Sequence, residues 1–339
     1  DFIAAIIYYD SDSVLFNYHI QTYLGYDNTD IRAYQLIGDA YYGDSNWIDA
    51  LFQYRKILWF EDNLDARFSE GMCLKNMSYY QDAITSFTFV LEQDAYFYEA
   101  FYHSGFAYMK LSNYEKAITH LTQSLLLDPD NKEVYYDLGI SYIRSGKTRQ
   151  ALEAFNRTVN LNPGHGRAYY ELGLIHEDLL NLDKAIHSFT LARKFAPEII
   201  DVHYRLGMLL VNNNQKKEAM EPLREYVIYN PDSLHVVEVL GDVFMSESRY
   251  PEAIDAYSRL NKIYPENISY NLAIAESHWQ LKEFINAKLA YISILEFDDE
   301  NTEVMYRLGI ISIELGEFEA AADYFLSAID CGTPTMSMF

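Results

Sequence analysis

Alanine recurs along this chain at Ala50, Ala83, Ala117, Ala151, Ala185, Ala219, Ala253, Ala287 and Ala321, with a first step of 33 residues and every later step of 34. Twelve residues before each alanine stands a small residue: Gly38, Gly71, Gly105, Gly139, Gly173, Gly207, Gly241, Ala275 and Gly309. Four residues after it stands a large apolar one: Tyr54, Phe87, Leu121, Phe155, Phe189, Leu223, Tyr257, Tyr291 and Phe325. Five units add a proline twelve residues after the alanine, at Pro129, Pro163, Pro197, Pro231 and Pro265. A repeat of this length cannot bury its own apolar faces. Its copies must stack, so the chain is a linear array rather than a ball.

Inside each unit the apolar residues fall at helical spacing, as in Tyr135, Leu138 and Tyr142 and then Ala151 and Phe155. A polar stretch, residues 144–149 in that unit, separates the two halves. Each unit therefore reads as two short antiparallel helices joined by a tight turn. The glycine of the first helix and the alanine of the second are read as the points where the two backbones approach most closely. The proline follows the second helix and prevents its continuation. Pro222 falls inside a second helix and is expected to kink it, whereas Pro251 sits in a first turn, where proline is tolerated.

This signature resembles the tetratricopeptide repeat family. Nine units match it, starting near Ile31, Leu64, Tyr98, Lys132, Gly166, Ile200, Leu234, Ile268 and Thr302. Residues 1–30 read as a degenerate further unit, with helices over Phe2–Tyr9 and Val14–Leu24, and residues 331–339 as an irregular tail. The resemblance implies an all-α fold, a right-handed superhelical solenoid of antiparallel helix pairs. Departures are local: the eighth unit has Ala275 for glycine and Asp299 for proline, and His176 and His278 replace aromatics. Both histidines are expected to be structural.

Little in the sequence points to catalysis. There is no GxSxG, Walker A or GxGxxG motif, and no HxxxH or HExxH pair. Gly164 and Gly166 belong to a loop between units. The acidic run Asp298, Asp299 and Glu300 reads as a solvated loop. Cys73 and Cys331 lie far apart and form no CxxC motif, so neither a disulfide framework nor a zinc site is expected. Scarce cysteine suits a reducing cytosol and is compatible with a periplasm. No catalytic, cofactor or metal residue is assigned. The formal charge is -24, which repels nucleic-acid phosphates and anionic lipid and favours basic or neutral protein partners. No apolar run reaches the length of a membrane span, so no insertion is expected.

The resemblance also places the binding surface. In this family the first helices line a concave groove, and residues four, eight and eleven positions into each point toward it. The first two positions pair Phe68 with Met72, Tyr102 with Phe106, Tyr136 with Ile140, Tyr170 with Leu174 and Tyr204 with Met208. Residues at i and i+4 share a helix face, so these pairs form an apolar stripe. Acidic residues flank it, Asp39 on one side and Glu238, Asp242 and Glu276 on the other. A contiguous exposed apolar patch marks a binding site. Tight packing between repeats is the competing explanation. The carboxylate clamp of co-chaperone members is not supported, because no asparagine occupies the second position.

The function expected is a non-catalytic scaffold or adaptor that holds a partner segment with apolar anchors and basic flanks. Two alternatives stand beside it: the substrate-recruiting arm of a larger enzyme, and an envelope-assembly scaffold. The end of the last helix, through Phe325, Leu326 and Ile329, has no amphipathic helix after it. Self-association through that end is a further expectation.

Overall fold

The computed structural model describes residues 2–9 and 13–332, and among them every regular element is a helix. The contacts divide into two compact units, residues 1–175 and residues 176–339, and each is described by itself. The first unit holds α1 (Phe2–Tyr8), α2 (Ser13–Tyr26), α3 (Ile31–Gly43), α4 (Trp47–Phe60), α5 (Leu64–Asn76), α6 (Tyr80–Gln93), α7 (Tyr98–Lys110), α8 (Tyr114–Leu127), α9 (Lys132–Arg144), α10 (Thr148–Leu161) and most of α11 (Gly166–Asp178). The second holds α12 (Leu182–Phe195), α13 (Ile200–Asn212), α14 (Lys216–Tyr229), α15 (Leu234–Ser246), α16 (Tyr250–Asn261), α17 (Ile268–Gln280), α18 (Phe284–Leu295), α19 (Thr302–Glu314) and α20 (Phe318–Cys331). Residues 333–339 of the irregular tail lie outside the described residues.

From α3 onward the turn inside each pair has one construction. A residue adopts left-handed φ at Ser45, Ser78, Ser112, Gly146, Leu180, Asn214, Ser248, Lys282 and Gly316. The next N–H then reaches back five residues, as in Asn113 to Tyr108 at 2.9 Å, Lys147 to Tyr142 at 2.8 Å and Glu317 to Ser312 at 2.8 Å. This closure satisfies carbonyls that the end of the first helix leaves open and reverses the chain within three residues. Asparagine or aspartate starts several first helices: the side chains of Asn63, Asn131 and Asn301 accept from the amides of Ala66, Val134 and Val304.

Packing within a pair corrects one sequence-based expectation. The recurrent alanines are buried, from Ala50 to Ala287 with no exposed surface. The glycine, however, makes room for a ring rather than for the alanine backbone. A Cβ added to Gly139 would stand 2.6 Å from Phe155 Cε1, and one added to Gly309 would stand 2.5 Å from Phe325 Cε1. The large residue four positions after the alanine thus lies against the glycine, and Phe87 and Phe155 are completely buried there. Helix α14 runs unbroken from Lys216 to Tyr229 with Pro222 buried inside it. Pro251 stands at the start of α16.

Ionic staples reinforce the stacking of neighbouring pairs. Glu70 on α5 is nearly buried and accepts from Arg55 Nε of α4 at 2.8 Å, from Arg67 Nη1 at 2.9 Å and from Ser86 Oγ of α6 at 3.2 Å. In the second unit Arg193 on α12 grips Glu225 on α14 through two bonds of 2.7 and 2.8 Å. In the first unit α5 touches α7 and α7 touches α9, whereas consecutive second helices make no comparable contact. In the first unit α5, α7 and α9 therefore crowd together on one side.

Candidate functional site

Four of the five aromatic–apolar pairs belong to the first unit, on α5, α7, α9 and α11, and all eight residues are half-buried. Their inner surfaces are used by the fold. Phe68 packs on Phe87 at 5.7 Å and on Phe97 at 4.8 Å between ring centroids. Tyr136 packs on Phe155 at 5.8 Å and on His165 of the next repeat at 4.8 Å. Met72 and Ile140 lie against the cores of their own repeats. Their outer surfaces stay partly open. The fifth pair, Tyr204 and Met208, is half-buried on α13 of the second unit, where Tyr204 packs on Tyr226 at 5.2 Å.

Among the apolar residues runs a line of charges that the sequence reading passed over. Five residues into successive first helices stand His103, Asp137 and Glu171, and their neighbours from the last turns are Lys75, Lys110 and Arg144. Lys75 Nζ lies 3.3 Å from His103 Nδ1. Burial, with the charge of Lys75, pushes His103 down to about 3, so its ring is neutral at ordinary pH. Burial likewise lowers the Lys75 ammonium. Asp137 is only 9% exposed, and burial lifts its carboxyl to about 6 against the pull of the Tyr102 hydroxyl, Lys110 and Lys75. Burial raises Glu171 too, opposed by the charge of Arg144. Phe106, chosen from the sequence as an apolar anchor, lies beneath two ammonium groups, Lys75 at 5.8 Å and Lys110 at 5.0 Å from its centroid.

The four acids assigned as flanks all have partners within the fold. Asp39 accepts from the Tyr54 hydroxyl and from Gln35, each at 2.8 Å, and burial raises its carboxyl. Asp242 accepts from the Tyr257 hydroxyl, and Glu276 from Tyr291 at 3.4 Å. Glu238 accepts from Tyr270 of the next repeat at 3.2 Å. The signal was present in the sequence. An acid occupies the second groove position only in the three units whose second helix carries tyrosine, at Tyr54, Tyr257 and Tyr291. Units with phenylalanine or leucine there have an apolar residue instead. Asp242 remains exposed and the other three are half-buried.

No group of three or more His, Cys, Asp and Glu side chains that would hold a metal occurs among the described residues. Cys73 is buried, and that burial pushes its thiol up to about 12. His278 Nδ1 lies 2.7 Å from Glu283 within its own turn, and burial lowers His176. No helix among the described residues is long and apolar enough to cross a membrane.

The sequence profile described as tetratricopeptide repeat matches residues 136–198, 204–268 and 272–334, together more than half of the chain. A second, described as TPR repeat, matches residues 105–146. Among solved structures, MamA is 28% identical over 48% of this chain and 95% of its own, with a TM-score of 0.46. YrrB, described as a TPR protein with an unusual peptide-binding site, is 21% identical over 52% of this chain and 91% of its own, with a TM-score of 0.46. A tetratricopeptide repeat protein from Parabacteroides merdae ATCC 43184 is 16% identical over 71% of this chain and 95% of its own, with a TM-score of 0.40.

Proposed function

We propose that this chain, which belongs to the tetratricopeptide repeat family, captures an extended or helical segment of another protein on the face formed by α5, α7, α9 and α11. At the level the family sets, the chain is a protein-interaction scaffold of a kind that is typically non-catalytic. The finer reading rests on one observation: four successive repeats present an aromatic and a large apolar residue that are both half-open to solvent. A solenoid that needed only internal packing would bury these side chains or finish them with polar groups. Each partner side chain seated on the stripe contributes roughly 1.5–3 kcal/mol. Ordering and association costs then leave an affinity on the order of micromolar.

The hydrogen-bonded acids change the expected role of the flanks. The oxygens of Asp39, Glu238 and Glu276 are already shared with tyrosine hydroxyls. They offer the basic flanks of a partner no free contact points. The test is capture of the natural partner by the full chain. Replacing Phe106, Ile140 and Leu174 with Ser, Asn and Asn should abolish it. Replacing the exposed second-helix residues Ile48 and Leu126, which are 72% and 68% exposed, should not. Far-ultraviolet circular dichroism must show both variants folded. Capture that survives the first set and is lost with the second would place the site on the other side of the repeats.

A further inference from the structure

Three residues into each first helix from α3 onward, most repeats carry a long side chain: Tyr34, Arg67, Phe101, Tyr135, Tyr169, His203 and Met305. Several of these lie against the second helix of their own pair. Tyr34 stacks on Phe60 at 6.2 Å with Lys56 over its ring at 4.8 Å, Arg67 lies 4.8 Å over Phe89, Phe101 packs on His120 at 5.8 Å, and His203 Nδ1 is 2.7 Å from Glu225. Each of these partners stands three, six or ten residues after the recurrent alanine. Two repeats depart from the series, with Val237 on α15 and Asn271 on α17. Asn271 is buried and accepts from Asn261 at 2.9 Å. Val237 is short and apolar, and the positions three and six after its alanine are Ala256 and Arg259. The volume of a ring stays open there. A cavity of about 430 Å³ is lined by Val237, Leu240, Phe244 and Ala256, all buried, and by Val227 and Ile228 of α14.

We propose that this cavity takes one uncharged aromatic ring, the side chain of a tryptophan, tyrosine or phenylalanine of a partner protein, in the place that Val237 vacates. The cavity lies wholly in the second unit, among α14, α15 and α16, and does not depend on the groove of α5, α7, α9 and α11. Its size is that of a small-ligand site, and its floor is apolar. Its rim sets Arg224 and Arg259 against Glu252 and Asp255, so the charges balance and favour a neutral occupant. Arg249 already holds Glu252. The remaining guanidinium donors and the Asp255 carboxylate suit the amide groups on either side of an aromatic residue, which offer carbonyls and N–H groups. Ile228 at the mouth is 74% exposed, which extends apolar contact beyond the ring itself and fits a side chain carried on a protein.

The probe is N-acetyl-tryptophanamide, an uncharged aromatic residue with both of its amides, against N-acetyl-leucinamide and free indole. Each is titrated into the full chain while the methyl resonances of Val227, Ile228 and Leu240 are followed by NMR, since a seated ring shifts them by its ring current. N-acetyl-tryptophanamide should shift these signals saturably and bind at least about tenfold more tightly than either control. Val237→Tyr places in the cavity the ring that other repeats carry. It should lose the probe and melt no lower than the parent chain. Should that ring unfold the repeat, Val227→Phe closes the cavity from the half-buried wall on α14 and should lose the probe in the same way. Methyl signals that do not move, equal binding of N-acetyl-leucinamide, or full affinity in either folded variant would overturn the proposal. Indole bound as tightly as N-acetyl-tryptophanamide would overturn the assignment to a protein partner.

Discussion

Leu180 is the least natural residue in its place. It holds φ of +57° in the turn between α11 and α12, and its side chain is 81% exposed. A left-handed conformation costs an L residue about 1–2 kcal/mol, because Cβ crowds the following carbonyl. Glycine takes it freely, but a glycine loses roughly 0.5–1 kcal/mol more chain entropy on folding. With little apolar contact to lose, Leu180→Gly should therefore stabilise the chain by about 0.5–1 kcal/mol. Lys282→Gly, at φ of +60°, should do the same. Asn214→Gly, at φ of +58°, should gain less, because asparagine tolerates this region. The reverse change, Gly146→Ala at φ of +73°, should destabilise by about 1 kcal/mol. Urea unfolding gives the answer as a rise or fall in midpoint at constant slope. A midpoint lowered by Leu180→Gly, or untouched by Gly146→Ala, would refute the idea that these turns carry stored backbone strain.

Four further outcomes follow from the packing and the buried charges. Phe155→Ala should lower stability by about 3–5 kcal/mol through the cavity it leaves on Gly139, and Gly139→Ala should also destabilise, because its Cβ meets the ring at 2.6 Å; urea midpoints measure both. Tyr54→Phe should cost about 1 kcal/mol by removing the hydrogen bond to Asp39, and a double-mutant cycle with Asp39→Asn should show that the two changes are not additive. Glu70→Ala removes the nearly buried carboxylate shared by Arg55 and Arg67 and should cost roughly 1.5–3 kcal/mol, again read from denaturation. Asp137 binds its proton more tightly folded than unfolded, so the folded state gains nothing from ionising it. Its contribution to stability should fall as pH rises from about 4 to about 6. Asp137→Asn should remove that share of the pH dependence, and an Asp137 carboxyl titrating near 4 by NMR would contradict it.

The all-helical repeat fold was legible because its determinants are periodic. Glycine, alanine and the following large residue recur at constant spacing, and each has one steric job. What the glycine accommodates was not legible, since the same spacing fits a close backbone approach and a ring lying against the helix; Phe155 on Gly139 decides it. The aromatic stripe was visible as residue types, but its half-burial depends on how far neighbouring repeats close over rings such as Tyr136. The coupling of tyrosine with acid at Tyr54 and Asp39 was written in the sequence and needed two columns of the repeat to be read together. The charge line of Lys75, His103 and Asp137 was hidden for a different reason. Its members come from two positions of three different repeats and meet only when first helices stack.

The most direct test of the groove is a short-range photocrosslink from its centre. Benzoyl-phenylalanine placed at Ile140 on α9, and separately at Leu126 on α8, is irradiated with the natural partner bound to the full chain. The groove account predicts a crosslinked partner from position 140 and none from position 126, with the linked peptide carrying apolar side chains. Crosslinking from 126 alone would put the partner on the second helices and contradict the account.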